Sequence, residues 1–221
     1  MQTYGIIHNI FMGLGGNSYQ CDSYSTTLLR QIATLIPMWG CSVQRVSSLY
    51  LTEPVGGGRQ PPFVNAVLKL RSTVPPARLL ALAKAFERDA GRRRGRRNGP
   101  RPIDIDILDF AGRVIGDGQS ARRAFLVLPH PELHRRRFVL QPLLEVEPHW
   151  HHPVLDASVR QLLAKLTDRP GSVQRIVDSG WISCDGERLR EVVRLGVANF
   201  AWRSAVQRRA VVAATADLDE R

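Results

Sequence analysis

Residues 101–110 read Arg-Pro-Ile-Asp-Ile-Asp-Ile-Leu-Asp-Phe, and this stretch decides the fold. Apolar and acidic residues alternate in it, which is the period-2 pattern of a β-strand with one buried and one exposed face. The three isoleucines are therefore predicted to be buried, and Asp104 and Asp106 to be exposed. Carboxylates two residues apart on a strand point the same way, roughly 6 to 7 Å apart. Oxygen ligands in that arrangement suit one or two hard divalent cations.

An arginine-rich segment leads into this strand. Six arginines fall within residues 92–101, and a Gly-Pro pair at 99 and 100 precedes the last of them. Guanidinium groups bind phosphate oxygens in bidentate fashion. Metal-binding carboxylates beside such a segment favour phosphoryl transfer from a nucleotide, in which catalysis is largely positioning and charge neutralisation. Either feature alone is more often a solvated surface, so the hypothesis depends on their combination.

Length and composition indicate a globular protein with a strong positive charge. The 221 residues suffice for one substantial core, and the hydrophobic and charged fractions are ordinary. No apolar run could span a bilayer, and the first residues predict no secretory signal. Three separated cysteines predict neither disulfides nor a zinc site, so we expect a cytoplasmic location. The net charge of +11 is compatible with nucleic acid, an anionic membrane or a polyphosphate substrate.

The remaining chain alternates between strand and helix patterns. A first strand at 6–14 is predicted to run into a glycine-rich turn, Gly13-Leu14-Gly15-Gly16-Asn17, which lacks the lysine of a Walker A loop. We expect a tight structural turn there rather than a phosphate cradle. Further strands are predicted at 41–52 and 63–70, with a short hairpin return at 113–115. Helices are predicted at 23–36, 75–90, 140–145 and 155–166, the last with Asp156 as N-cap.

This order of elements predicts an α+β fold with a mixed or antiparallel sheet and flanking helices. We expect one domain over residues 1–166. The chain changes character after a break at 168–171, and residues 187–217 are rich in Arg and Ala. Residues 167–221 are therefore expected to form a helical C-terminal extension, whose role the sequence does not indicate.

Several separated motifs resemble one known family. The run 98–108, Asn-Gly-Pro-Arg-Pro-Ile-Asp-Ile-Asp-Ile-Leu, is similar to the signature of the 6-hydroxymethyl-7,8-dihydropterin pyrophosphokinases. Segments 47–54, 63–67, 87–92 and 128–138 match that family in order and approximate spacing. The likeness covers roughly residues 6–166. Three positions depart from the family pattern, at Asn98, at Pro131 and in the 13–17 turn.

The resemblance implies a ferredoxin-like α+β fold and an ATP-dependent diphosphokinase, a transferase of folate biosynthesis. The resemblance implies that residues 1–166 of this chain form the catalytic domain. Such an enzyme moves a pyrophosphoryl group from ATP to 6-hydroxymethyl-7,8-dihydropterin and releases AMP. The implied cofactor is Mg²⁺, as two ions held by Asp104 and Asp106, with ATP as co-substrate. The expected partners are therefore small molecules, with no nucleic acid and no membrane, and a monomer is favoured.

Motif positions imply roles for individual residues. The implied catalytic residues are Arg92, Arg101, Asp104 and Asp106. The implied pterin-binding residues are Thr52, Phe63, Asn65 and Phe138. The implied ATP-binding residues are Glu87, Arg92, Arg101, His130 and Arg136. For His130 a purely structural hydrogen-bonding role is the alternative.

A second hypothesis belongs to another functional class. The positive charge and the arginine-rich tail are also typical of a non-enzymatic protein that binds nucleic acid or a protein partner on the same fold. Its affinity for nucleic acid would fall steeply with salt. Against it, aromatic and basic residues are not interleaved as single-strand binders require.

Overall fold

The computed structural model describes residues 6–17, 32–33, 35–53, 61–91, 101–116, 125–167 and 173–177. The strands are β1 (His8–Asn17), β2 (Cys41–Val46), β3 (Leu49–Thr52), β4 (Phe63–Ser72), β5 (Arg101–Phe110), β6 (His151–His152), β7 (Ala157–Ser158) and β8 (Val173–Val177). The α-helices are α1 (Pro76–Asp89), α2 (Arg137–Val146) and α3 (Val159–Ala164), and short 3-10 turns occur at Ile36–Trp39 and Leu133–Arg135.

Six strands form one sheet in the order β5-β1-β4-β3-β8, and β2 pairs with the far end of β4. Every pair in it is antiparallel. Helix α1 packs on one face, while α2 and α3 cover the other. The α+β prediction with an antiparallel sheet is therefore confirmed. Within the described ranges no helix is both long and apolar enough to cross a bilayer.

The alternation that predicted β5 matches its burial. Ile103, Ile105 and Ile107 are at most 3% exposed and join the core beneath α1. Leu108 lies on the opposite face, in the core that α2 and α3 cover. Burying each such aliphatic side chain contributes roughly 1.5–3 kcal/mol. The free energy that fixes the register of β5 is therefore mainly apolar burial, because a one-residue slip would expose the isoleucines.

The glycine-rich stretch is a strand, so the predicted turn at 13–17 is wrong. Strand β1 continues through it, paired with β4 on one side and β5 on the other. A Cβ on Gly13 would lie 3.2 Å from a methyl carbon of Leu108, and one on Gly15 only 2.9 Å from Oδ1 of Asn65. Close packing of neighbouring side chains over the strand, rather than chain reversal, explains why glycine is present.

Helix boundaries differ from the predicted ones for local reasons. Helix α3 begins at Val159 because Ser158 and Gln161 form a capping box there. Asp156 is therefore not the N-cap; it has a positive φ of 46° in the turn between β6 and β7. Helix α2 begins at Arg137, three residues before the predicted start.

Two other predicted elements are only partly observed. Instead of a hairpin strand at 113–115, the structure has an isolated bridge between Ile115 and Leu128. Of the helix predicted at 23–36, positions 32, 33 and 35 are described as helical, and the chain then enters the 3-10 turn at Pro37.

The C-terminal extension contributes a strand where a helix was expected. Strand β8 pairs with β3, with Val173 opposite Thr52 and Arg175 opposite Tyr50. Residues 173–177 therefore belong to the sheet of the main domain. The remaining stretch predicted to be helical, 187–217, lies outside the described residues.

Proline substitutions in β8 test this pairing. In an antiparallel pair alternate residues direct their N–H groups to the partner strand. Proline has no N–H, so either Gln174→Pro or Arg175→Pro must remove a β3–β8 hydrogen bond. We expect that variant to speed amide hydrogen exchange in β3, measured by mass spectrometry. The other variant is the matched control, and unchanged exchange in both would contradict the pairing.

Candidate active site

A row of residues across three strands defines the candidate site. Gly15 of β1 pairs with Asp104 of β5 on one side and with Asn65 of β4 on the other. Residues paired in neighbouring strands share a face, so the carboxylate and the amide lie over the same side of the sheet. Their Cα atoms are about 10 Å apart, twice the strand spacing. Gly15 has no side chain, so β1 contributes only backbone between them, and Oδ1 of Asn65 packs over it.

The two predicted metal ligands lie together and are accessible. The side chains of Asp104 and Asp106 are 23% and 30% exposed. Nη1 of Arg101 donates a hydrogen bond of 2.6 Å to Oδ2 of Asp104. On the other side, Nε2 of His130 lies 3.8 Å from Oδ2 of Asp106. Four of the residues predicted for phosphate chemistry are thus assembled at one end of the site.

Lys84 of α1 is a site residue that the sequence hypotheses missed. Its Nζ lies 4.0 Å from Oδ1 of Asp104 and 3.7 Å from Oδ1 of Asp106. It also donates hydrogen bonds to Oε1 of Glu87 and to the carbonyl oxygen of Ile105. One signal could have identified it: the arginine-rich chain has only three lysines, and this one lies three residues before a predicted site residue.

Glu87, predicted to bind ATP, is buried against β5. It is 1% exposed, and its Oε1 accepts a 2.7 Å hydrogen bond from the backbone N–H of Ile105. Burial raises the pKa of this carboxyl, and the ammonium of Lys84 opposes that shift. These contacts give Glu87 a positioning role, since they fasten α1 to β5 between the two aspartates.

His130 is held in a defined orientation. Its Nδ1 accepts a hydrogen bond from the backbone N–H of Glu132, so in the neutral ring Nε2 carries the proton. Burial lowers the pKa of His130, and Arg136 acts in the same direction, against Asp106. Near neutral pH the residue therefore presents an uncharged N–H donor beside Asp106.

The predicted pterin residues occupy the other end of the row. Nδ2 of Asn65 donates a 2.9 Å hydrogen bond to Oγ1 of Thr52, and both side chains are buried. Phe63 pairs directly with Thr52 in the sheet and is partly exposed. Asn65 donates one amide hydrogen to Thr52. Its second amide hydrogen and its carbonyl oxygen can therefore form hydrogen bonds with the edge of a flat polar ligand.

Arg136 and Phe138 adjoin each other at the start of α2. The guanidinium carbon of Arg136 lies 5.8 Å from the centre of the Phe138 ring, which is cation–π distance. The ring also packs against the core that α2 covers. The start of α2 therefore carries a cation and an aromatic face. This helix covers the face of the sheet on which Asp104 and Asn65 lie.

A carboxylate that the sequence did not single out fixes the strand that bears Thr52. Glu145 of α2 accepts hydrogen bonds from the backbone N–H and hydroxyl of Ser48 and from the hydroxyl of Tyr50. Burial and this carboxylate together raise the pKa of Tyr50 to about 12. The hydroxyl therefore stays protonated as a donor, and β3 is held to α2.

The acidic pair fits a metal that arrives with a substrate. No group of three or more His, Cys, Asp or Glu residues that could hold an ion occurs in the described part of the chain. Mg²⁺ is usually bound by one or two carboxylates together with substrate phosphates and waters, rather than by an all-protein cage. Asp104 and Asp106 would hold it, and their partial exposure leaves room for the remaining ligands.

Part of the predicted site cannot be compared with the structure. Arg92, Asn98 and the rest of segment 92–100 lie outside the described residues, as does segment 54–60. Roles were assigned to eleven residues, and the ten other than Arg92 are described. They are Thr52, Phe63, Asn65, Glu87, Arg101, Asp104, Asp106, His130, Arg136 and Phe138.

Comparison with known proteins identifies the family. Residues 11–148 match the family model of 7,8-dihydro-6-hydroxymethylpterin-pyrophosphokinase (HPPK). The chain belongs to this family. It is 32% identical over 161 residues to a 2-amino-4-hydroxy-6-hydroxymethyldihydropteridine pyrophosphokinase from Aquifex aeolicus, covering 73% of this chain and 94% of the relative. It is 36% identical over 137 residues to the protein of that name from Bacillus subtilis, covering 62% and 76%.

Solved structures support the HPPK fold. The chain superposes on Plasmodium falciparum HPPK-DHPS A437G with a TM-score of 0.56 at 15% identity, covering 74% of this chain. The match spans 46% of that longer chain, and the wild-type structure with pteroate gives a TM-score of 0.54. These similarities confirm the ferredoxin-like α+β class. The family match ends at residue 148, so α3 and β8 lie beyond it.

Asn17 connects the two ends of the site, and its removal should cost stability. The buried side chain donates to the carbonyl of Pro61 and accepts from the backbone N–H of Arg101. We expect Asn17→Ala to lower the free energy of unfolding by roughly 1–3 kcal/mol, because it leaves partly buried backbone groups of Pro61 and Arg101 without this partner. Urea denaturation measures this. Asn9→Ala, at an exposed position of the same strand, is the control, and equal losses in both variants would contradict the bridging role.

Proposed function

We propose that this HPPK family member transfers a pyrophosphoryl group from ATP to 6-hydroxymethyl-7,8-dihydropterin, producing AMP and the pterin diphosphate. The hydroxymethyl oxygen forms a bond to the β-phosphorus of ATP. The bond between that phosphorus and the oxygen bridging to the α-phosphate breaks, and AMP leaves with the bond's electron pair. The hydroxyl proton passes to solvent. The reaction is a step of folate biosynthesis.

The row from Asp104 through Gly15 to Asn65 carries this proposal. A carboxylate pair for metal and phosphate lies at one end of it, and an amide suited to a heterocycle lies at the other. Asp104 and Asn65 are two strands apart, with backbones about 10 Å from each other. A pterin bound at Asn65 would direct its hydroxymethyl group toward phosphates held at the acidic pair. Holding two substrates in line accounts for much of the rate enhancement in reactions of this kind.

The phosphate end supplies charge complementarity. We propose that Asp104 and Asp106 hold two Mg²⁺ ions, which would neutralise the triphosphate and polarise its β-phosphorus. Arg101 and Arg136 bind phosphate oxygens, and Arg92 is proposed to do the same. His130 donates a hydrogen bond from its Nε2–H group to a phosphate oxygen. This group is available because the ring is uncharged and its Nδ1 already accepts a hydrogen bond.

The other end is proposed to bind the pterin. Phe63 and Phe138 offer aromatic faces to the ring system, and Asn65, oriented by Thr52, reads its polar edge. Glu87 acts through its contacts with β5 rather than by touching ATP, because its carboxylate is buried against Ile105.

The proposal also includes the cellular location and the oligomeric state of the enzyme. We place the enzyme in the cytoplasm as a monomer, with residues 1–166 as its catalytic unit and residues 167–221 as an extension that contributes β8. The nucleic-acid alternative is not favoured, since the chain belongs to a family of small-molecule kinases.

Product analysis tests the reaction. Purified protein with Mg-ATP and the hydroxymethyl-dihydropterin should release AMP, detected by chromatography, and ADP alone or no nucleotide product would refute the proposal. Asp106→Asn should lower kcat by roughly 10²-fold or more, the scale for losing one electrostatic contact to the reacting group. Asp89→Asn, at an exposed position at the end of α1, is the matched control. Near-normal turnover by Asp106→Asn would refute the metal role.

Gly15→Ala tests the pterin end. Its new Cβ would lie 2.9 Å from Oδ1 of Asn65 and displace that amide from Thr52. We expect KM for the pterin to rise roughly 2- to 10-fold, the equivalent of one hydrogen bond, with KM for ATP little changed. Gly13→Ala should affect pterin KM less, because its Cβ meets the side chain of Leu108 and not that of Asn65. Steady-state kinetics with each substrate varied measures both constants, and equal effects on both substrates would contradict the assignment.

A further inference from the structure

Lys84 places a fixed positive charge beside the acidic pair. Its Nζ is 2.7 Å from Oε1 of Glu87 and 3.2 Å from the carbonyl oxygen of Ile105, and both are hydrogen-bond distances. The carboxylates of Asp104 and Asp106 are farther away, at 4.0 and 3.7 Å. The ammonium is therefore held by the helix and the strand edge, and it faces the two aspartates without a hydrogen bond to either.

This ammonium reduces the negative charge that the two aspartates present, as does Arg101, which is hydrogen-bonded to Oδ2 of Asp104. Two carboxylates at this spacing repel each other, and a cation 4 Å away relieves that repulsion. The same cation repels any divalent ion that approaches the pair. Triphosphate brings negative charges that attract both the ion and the ammonium. The electrostatic balance therefore disfavours a metal alone and favours a metal together with a nucleotide.

We propose that Lys84 is a positioning residue that weakens the binding of free divalent metal at Asp104 and Asp106, so that metal binding depends on nucleotide. This proposal rests on the metal assignment made for the proposed function. This role accounts for a lysine in a site that binds cations, because its charge reduces the repulsion between the two carboxylates while no metal is bound. It also predicts that the binding of metal and of nucleotide is coupled energetically.

Manganese binding to the nucleotide-free protein tests the proposal. Free Mn²⁺ is measured by electron paramagnetic resonance during titration of the wild type and of Lys84→Gln. Glutamine keeps an N–H donor for Glu87 and Ile105 but removes the charge. Lys84→Arg retains the charge, and Lys165→Gln makes the same change in net charge at an exposed position after α3.

We expect Lys84→Gln to bind Mn²⁺ about tenfold more tightly than the wild type, because it removes a positive charge that lies 3.7 to 4.0 Å from the carboxylate oxygens proposed to bind the ion. Lys84→Arg and Lys165→Gln should match the wild type. Equal or weaker binding by Lys84→Gln, or no measurable binding in either protein, overturns the proposal. If Lys84→Gln does not fold, Lys84→Met, which keeps the apolar stem, gives the same comparison.

The metal assignment itself is checked separately. Asp106→Asn should weaken Mn²⁺ binding in the Lys84→Gln background. If it does not, the ion binds elsewhere and the metal role in the proposed function fails, whatever the effect of Lys84. If it does, and Lys84→Gln still matches the wild type, only the inference about Lys84 fails.

Discussion

The backbone of Ile105 is the point on which the site depends. Its N–H and C=O are bound by Glu87 and Lys84 of α1, so two side chains take the place that a neighbouring strand would occupy. In the described part of the chain β5 pairs only with β1. A buried backbone group left without a partner would cost roughly 1–3 kcal/mol. The residues on either side, Asp104 and Asp106, are thereby fixed with respect to both the sheet and the helix.

Strand β1 determines the shape of the site between its two ends. A side chain at Gly13 or Gly15 would meet Leu108 or Asn65, so glycine lets these two side chains pack directly over the strand on the face where the substrates are proposed to lie. Apolar burial on the opposite face keeps β1 central in the sheet. On this face Gly15 lies between Asp104 and Asn65 in the sheet, so no side chain of β1 separates the two residues.

Prediction from the sequence succeeded where a local pattern of residues arises from a single physical cause. The alternation in 103–107 predicted β5 and its acidic face because isoleucine burial determines the register. The glycine stretch was misjudged because glycine is common in turns, while its reason here is the approach of Asn65, which is distant in sequence. Lys84 left only a weak local signal, its spacing of three residues from Glu87, while its contact with the strand lies 21 residues away. Glu145 was missed because its partners lie 95 to 97 residues away. Long-range contacts of this kind leave no local pattern.

The pairing of β8 with β3 affects how the protein behaves towards other copies of itself. An uncovered strand edge offers unpaired backbone groups to another chain and promotes association edge to edge. Strand β8 covers β3, and its own side chains at Gln174 and Arg175 are exposed and polar. Polar residues on a short outer strand are a common protection against such association. Strand β8, which lies beyond the family match, therefore covers the edge of β3 and presents a short edge with polar side chains in its place.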